Sequence, residues 1–269
     1  MLYKGEKTKM TNEKIMQIAL RQQAYDMNCR PEDFVAEHNV VVISEKNEHA
    51  RKYLDLPFFC NLCSYGSNVV ASVDRRVADF IKQYLEREEK ANDAFFESFL
   101  TPRLHLLTEE FAKYGKLTCF MAEYFLPDVS VLRPLPCSYP IKILTQPDFK
   151  GLYLPEWRNA LCEARKELDV LGAVAYDGEK MIGFAGASAD GEEMWQIGID
   201  VLPQYRRQGI ASALTSRLAV EILERGKVPF YCCAWSNIRS ARNAVKSGFR
   251  PAWVEFTAID RSKAAQYMK

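Results

Sequence analysis

The chain has 269 residues, 48% hydrophobic and 26% charged, with a net charge of +1. This is ordinary globular composition for one large or two modest domains, and the balanced charge gives no bias toward nucleic acid or an anionic membrane. No apolar run approaches the ~20 residues of a spanning helix. The first nine residues, Met1 to Lys9, are basic and polar and lack a signal peptide's apolar centre, so a cytoplasmic protein is expected.

The first half mixes helices and strands. Thr11 is placed to cap a helix from Asn12 to Met27, with Ile15, Ile18 and Ala19 on its apolar face. Pro31 opens a short helical turn, and Val40 to Ser44 reads as a strand. Leu56 to Leu62 and Val69 to Val73 are further strands around a turn at Tyr65 to Asn68. Asp74 caps a helix running to about Lys90, whose Glu86 to Lys90 charge run is a solvated face. Arg103 to Lys113 is a helix stopped at Gly115, and Leu117 to Phe125 is a strand.

Pro127, Pro134, Pro136, Pro140 and Pro147 then crowd a short stretch, which places a domain junction near residues 127–140. Ile141 to Leu144 reads as a strand and Trp157 to Leu168 as a helix. Strands follow at Leu171 to Tyr176, Met181 to Ser188 and Met194 to Val201, joined by turns at Asp177-Gly178 and Asp190-Gly191. Ile210, Leu214, Leu218 and Ile222 give the helix Ile210 to Arg225 its apolar stripe. A strand from Val228 to Trp235, a helix from Asn237 to Ser247 and a strand from Ala252 to Ile259 end the pattern.

Eight cysteines suggest no disulfide framework. Cys60-x-x-Cys63 has no second metal-binding pair and lies in an apolar stretch, so buried thiols are expected rather than zinc. The three histidines, His38, His49 and His105, all lie in the first half, which argues against histidine-based chemistry beside the turn described next.

That turn, Leu202 to Gly209, joins an apolar strand to an amphipathic helix and carries Arg206, Arg207 and one glycine. The first amides of a helix have no intrahelical partner, and its dipole favours an anion there. Gly209 permits close approach, and the small Ala211 and Ser212 do not obstruct it, so the turn is a phosphate cradle. The G-x-x-x-x-G-K-[ST] and G-x-G-x-x-G patterns of nucleotide loops are absent.

Arg206-x-x-Gly209-x-Ala211, five residues after Val201, resembles the acetyl-CoA pyrophosphate loop of the GNAT superfamily of N-acetyltransferases. The resemblance continues through the strand Val228 to Trp235, Asn237-x-x-Ser240 and Gly248-Phe249, and covers roughly residues 141–260. It implies an α/β fold, a mixed-sheet acyl-CoA N-acyltransferase domain over 141–269. Residues 1–130 would form an α+β cap or a degenerate copy of the same fold. The implied function is acetyl-CoA-dependent transfer to a primary amine on a small-molecule or peptide acceptor, with no metal and no nucleic-acid or membrane partner. The alternative is a non-catalytic acyl-CoA-binding sensor or partner-binding protein.

By the same resemblance, the strand backbone at Ile199, Asp200 and Val201 would hold the pantetheine arm and acyl carbonyl. Arg206, Arg207, Gln208, Gly209, Ile210, Ala211 and Ser212 would hold the pyrophosphate, with Asn237 and Ser240 also touching the coenzyme. The tyrosine that many members place seven residues after that asparagine is replaced here by Ala244, leaving Tyr231 or water as proton donor. Glu193 and Asp200 are the candidate bases, against plain roles as a solvated turn residue and a backbone-bonding residue.

Overall fold

A computed structural model describes residues 10–86 and 103–264. The expected run of the Asp74-capped helix to Lys90 therefore lies partly outside the described residues, as does Met1 to Lys9. The described elements are α1 (Asn12–Met27), β1 (Val40–Ile43), β2 (Cys60–Ser64), β3 (Val70–Val73), α2 (Ala78–Glu86), α3 (Arg103–Ala112), β4 (Lys116–Pro127) and β5 (Ile141–Thr145). They continue with β6 (Asp169–Asp177), β7 (Lys180–Ser188), β8 (Met194–Val201), α4 (Ile210–Glu224), β9 (Val228–Ala234), α5 (Ile238–Lys246) and β10 (Phe249–Asp260).

The ten strands form one mixed sheet in the order β1-β3-β2-β10-β4-β9-β8-β7-β6-β5. The stretches expected as separate units, 1–130 and 141–269, share this sheet. β4 runs antiparallel between β9 and β10, so a strand of the first half separates two strands of the second. β5 to β8 form an antiparallel meander.

Four apolar clusters cover the sheet's faces. Ile210, Leu214, Leu218 and Ile222 bury the α4 stripe against Leu171, Ala187, Ile197 and Phe125. The segment 146–168 covers the opposite face of the meander through Phe149, Trp157 and Leu161, packed on Val174 and Phe184. At the other end, α2 and α3 cover one face through Ile81, Leu85 and Phe111, and α1 covers the other through Ile15, Ile18 and Met27. Cys60 belongs to the first of these last two clusters and Cys63 to the second, so the two thiols point to opposite faces of β2. Burial pushes both thiols up.

One expected element differs. Trp157 to Leu168 is not an α-helix but a pair of short 3-10 turns, Pro155–Trp157 and Glu163–Arg165. Its amides are taken by distant carboxylates. Asp200 accepts from the Asn159 and Ala160 amides at 2.8 and 3.0 Å, and Asp169 accepts from the Cys162 amide at 2.9 Å. Those bonds compensate the backbone for the helix it does not form. Elsewhere the strand expected from Leu56 begins only at Cys60.

Candidate active site

β8 and β9 pair in parallel only from Met194↔Val228 to Ile197↔Tyr231. Beyond that register β8 runs on to Val201 and β9 to Ala234, and the two strands no longer bond each other. A parallel ladder broken inside a sheet leaves backbone donors and acceptors facing a gap, as a sheet edge does. Two cavities open there, and Asn159, Ile199, Tyr231, Asn237 and Ser240 line both of them.

The larger cavity, about 750 Å³, leads to the cradle. Pro203–Tyr205 forms a 3-10 turn, and then Arg207 and Gly209 both take left-handed backbone, at φ 63° and 82°. Gly209 caps α4, and a Cβ built on it would meet nothing within 4 Å. The space beside it is open, as close approach of a phosphate requires. The first amides of α4 have no intrahelical acceptors. Arg206, Arg207, Arg239, Arg242 and Lys246 line this groove. Among the described residues lining it Asp200 is the one carboxylate, and its oxygens are held by Asn159 and Ala160. The groove is strongly cationic.

The smaller cavity, about 460 Å³, lies between the sheet and the segment 158–165. Gly186 and Gly198 are paired across β7 and β8, and the segment packs on both. A Cβ at Gly186 would come within 1.9 Å of the Ala160 carbonyl oxygen, and one at Gly198 within 1.8 Å of the Asn159 oxygen. This close approach explains why glycine stands at both of these paired positions in β7 and β8. Asp169, Ser188, Asp190, Gln196 and Cys232 line the cavity's polar wall. Burial pushes the Asp169 carboxyl up to about 6, although the Cys162 amide draws it down. Burial also raises the Asp190 carboxyl and takes the Cys232 thiol up to about 12, so the thiol stays protonated.

Tyr231 stands at the waist between the two cavities, with its hydroxyl 2.7 Å from Ser240 Oγ. Burial raises its phenol while the hydrogen bonds with Ser240 and Asn243 oppose this, so it holds its proton at neutral pH. Ile199, Asp200, Val201, Arg206, Arg207, Gly209, Ile210, Ala211, Ser212, Asn237 and Ser240 are brought together around the larger cavity. Gln208 accepts a hydrogen bond from Tyr139 at 3.2 Å. The Ser212 hydroxyl donates to the Gly209 carbonyl, and Asn237 caps α5 by accepting from the Ser240 amide.

Glu193 is placed elsewhere. It pairs with Arg21 of α1 and borders a small separate pocket with Tyr25 and His49. Ala244, at the position of the missing tyrosine, is fully buried among the residues under α5 rather than on the cleft wall. Asp169 and Ser188 carry no site signal in the sequence, and Asp190, which reads there only as part of the Asp190-Gly191 turn, is fully buried. The one nearby signal was the pair of strand glycines, Gly186 and Gly198, which mark a close approach to the sheet.

Residues 139–249 match the acetyltransferase (GNAT) family. The matched segment runs from the last turn before β5 to the start of β10 and contains the broken ladder, the cradle and the α5 cap. A GCN5-related N-acetyltransferase-like protein from Streptococcus suis is 22% identical, with a TM-score of 0.43 over 57% of this chain and 67% of that one. An acetyltransferase of the GNAT family from Colwellia psychrerythraea is 15% identical, with a TM-score of 0.40 over 56% of this chain and 61% of that one. The yncA structure from Salmonella typhimurium, solved with its cofactor acetyl-CoA, is 17% identical, with a TM-score of 0.35 over 46% of this chain and 95% of that one. The chain thus spans roughly two thirds of the first two of these. No curated protein matches it. Among the described residues, no helix is long and apolar enough to cross a membrane, and no group of three or more His, Cys, Asp or Glu is placed to hold a metal.

Proposed function

We propose that residues 141–269 form the coenzyme-binding unit of an acetyl-CoA-dependent N-acetyltransferase acting on a primary amine. The observation that carries this is the broken β8–β9 ladder, which opens on a cationic cradle at one side and a polar cavity at the other. The cradle fits a pyrophosphate through its free helix amides and the open space at Gly209. The unpaired backbone of Ile199 to Val201 fits an amide-bearing arm, as a strand edge fits an added strand.

When bound, acetyl-CoA supplies an acetyl thioester, whose C–S bond gives way to the C–N bond of the product amide. The chain's own residues handle the protons. Tyr231 holds one at the waist between the two cavities and would be the donor for the leaving sulfur. Asp169 is the carboxylate suited to accept the amine's proton, directly or through water. Its value of about 6 makes it ionised at neutral pH yet basic enough to work. Asp200 accepts from the Asn159 and Ala160 amides and from the Asn159 side chain, and positions that segment instead.

The test is release of CoA thiol from acetyl-CoA with a panel of primary amines, for the parent and Tyr231→Phe. The expected result is amine-dependent release that falls about 10²-fold in Tyr231→Phe, with acetyl-CoA affinity retained. Binding of acetyl-CoA without turnover on any amine would favour the non-catalytic sensor.

A further inference from the structure

Tyr231 is tied to two helices by polar side chains. Its hydroxyl lies 2.7 Å from Ser240 Oγ, and Asn243, one turn further along α5, bonds the same phenol. Asn243 Nδ2 also donates to Thr215 Oγ1 of α4 at 3.1 Å, and Thr215 is fully buried. Three elements, β9, α4 and α5, thus converge on one hydroxyl.

These partners are matched to a phenol that gives up its proton. A buried phenolate without donors is costly, and the Ser240 hydroxyl and the Asn243 amide can both donate to it. Both oppose the rise that burial imposes on Tyr231. Tyr231 is 3% exposed and has little direct access to water. Ser240 is half-buried and lines both cavities, so its hydroxyl joins the phenol to the open groove. The helix supplies no acid at the next position, because Ala244 is fully buried and carries no transferable proton.

We propose that Ser240 and Asn243 are positioning residues for Tyr231, which hold its phenol at the waist and stabilise the phenolate, with Ser240 returning the lost proton from water in the groove. This rests on the acetyltransferase reading above and deepens it, and it moves Ser240 from coenzyme contact to the proton donor. As the C–S bond breaks, Tyr231 gives its proton to the sulfur and keeps the O–H electron pair. Ser240 then passes its hydroxyl proton to the phenolate and takes one from a water of the groove. Asp169 releases the amine's proton to solvent, which restores that water.

The test measures release of CoA thiol from acetyl-CoA with whichever of n-butylamine, putrescine and lysine amide is used fastest. It is run on the full chain as parent, Ser240→Ala, Ser240→Thr, Asn243→Ala, Tyr231→Phe and the double variant Ser240→Ala/Tyr231→Phe, with acetyl-CoA affinity read by calorimetry. We expect Ser240→Ala to lower kcat roughly 10- to 100-fold, as loss of a bond to a charged group should, with acetyl-CoA affinity retained. Ser240→Thr keeps the hydroxyl and should restore most of kcat, and Asn243→Ala should lower it by about 10-fold. On the Tyr231→Phe background Ser240→Ala should cost less than about twofold more, because it acts through the phenol. A loss that repeats in full on that background, that falls on acetyl-CoA affinity instead of kcat, or that Ser240→Thr does not rescue would overturn the proposal while leaving the acetyltransferase reading intact. So would a Ser240→Ala protein with the parent's kcat. Full activity in Tyr231→Phe would overturn the donor assignment and this proposal together. Failure to bind acetyl-CoA, or binding without turnover on all three amines, would overturn the acetyltransferase reading as well.

Discussion

Two polar clusters lie on the same side of the sheet, and they differ in whether a cavity adjoins them. In the first, Arg51 donates to Asp26, to Gln23 and Glu255 at 3.0 and 3.1 Å, and to the Tyr53 hydroxyl at 2.8 Å. Glu255 also accepts from Trp253 Nε1 at 2.8 Å and from Gln23 Nε2 at 3.0 Å. This cluster ties α1, the loop after β1 and β10 together, with Tyr124 and Trp253 stacked beside it at 4.6 Å. In the second, Asp190 pairs with Arg165 and takes a hydrogen bond from Ser188, and the cluster borders a cavity. A closed network away from any cavity specifies structure, whereas one that borders a cavity also shapes the space beside it.

The largest expected effect breaks the closed cluster. Arg51→Met leaves Asp26 and Glu255 buried without their cation and should cost about 3–5 kcal/mol, read as a lower urea midpoint. If unfolding free energy falls by less than about 1 kcal/mol, the cluster is not what joins these elements.

A smaller effect is expected where the cavity beside the second cluster is roofed. Gly198→Ala places a Cβ against the Asn159 carbonyl and should cost about 1–3 kcal/mol through overpacking. Lifting the 158–162 segment should reduce amine turnover while acetyl-CoA affinity holds. Equal loss of both would mean that the segment serves the coenzyme rather than the acceptor.

Asp169 sharpens the contrast through pH. Its folded-state value of about 6 lies above the ordinary 3.8, so the folded chain holds an extra proton between those values. The stability that proton gives is present at low pH and lost as pH rises through about 6. Asp169→Asn should therefore stabilise the chain by roughly 1–2 kcal/mol at pH 7 and abolish the rise of kcat/KM near pH 6. A rise that persists in the variant would move the base elsewhere.

The smallest effect belongs to Glu193. Its pair with Arg21 is about two-fifths exposed on both sides, so Glu193→Gln should change stability by less than about 1 kcal/mol. Turnover that nevertheless collapsed would restore Glu193 as the base.

What was legible in the sequence was local. The Asp177-Gly178 turn, the Ile210 to Ile222 stripe, the Gly209 turn into the helix and the Asn237 cap each depend on residues within a few positions of one another, and each stands where the pattern placed it. What escaped was non-local. The Trp157 to Leu168 stretch has helical spacing, yet Asp169 and Asp200 take its amides, and no window on the segment itself reveals Asp200. The meeting of Asp169, Ser188 and Asp190 depends on strand register, which a single sequence leaves open. The insertion of β4 between β9 and β10 pairs residues more than a hundred positions apart.

The central claim is that the cradle at the start of α4 binds acetyl-CoA, and calorimetry of acetyl-CoA against the parent and Gly209→Glu tests it most directly. The account predicts saturable binding to the parent and at least a 10²-fold loss in the variant, on the order of the 2.7 kcal/mol that separates a filled anion site from a blocked one. The variant should still fold, carrying only the ~1–2 kcal/mol that a side chain costs at positive φ. A folded Gly209→Glu protein that binds acetyl-CoA with the parent's affinity would contradict it.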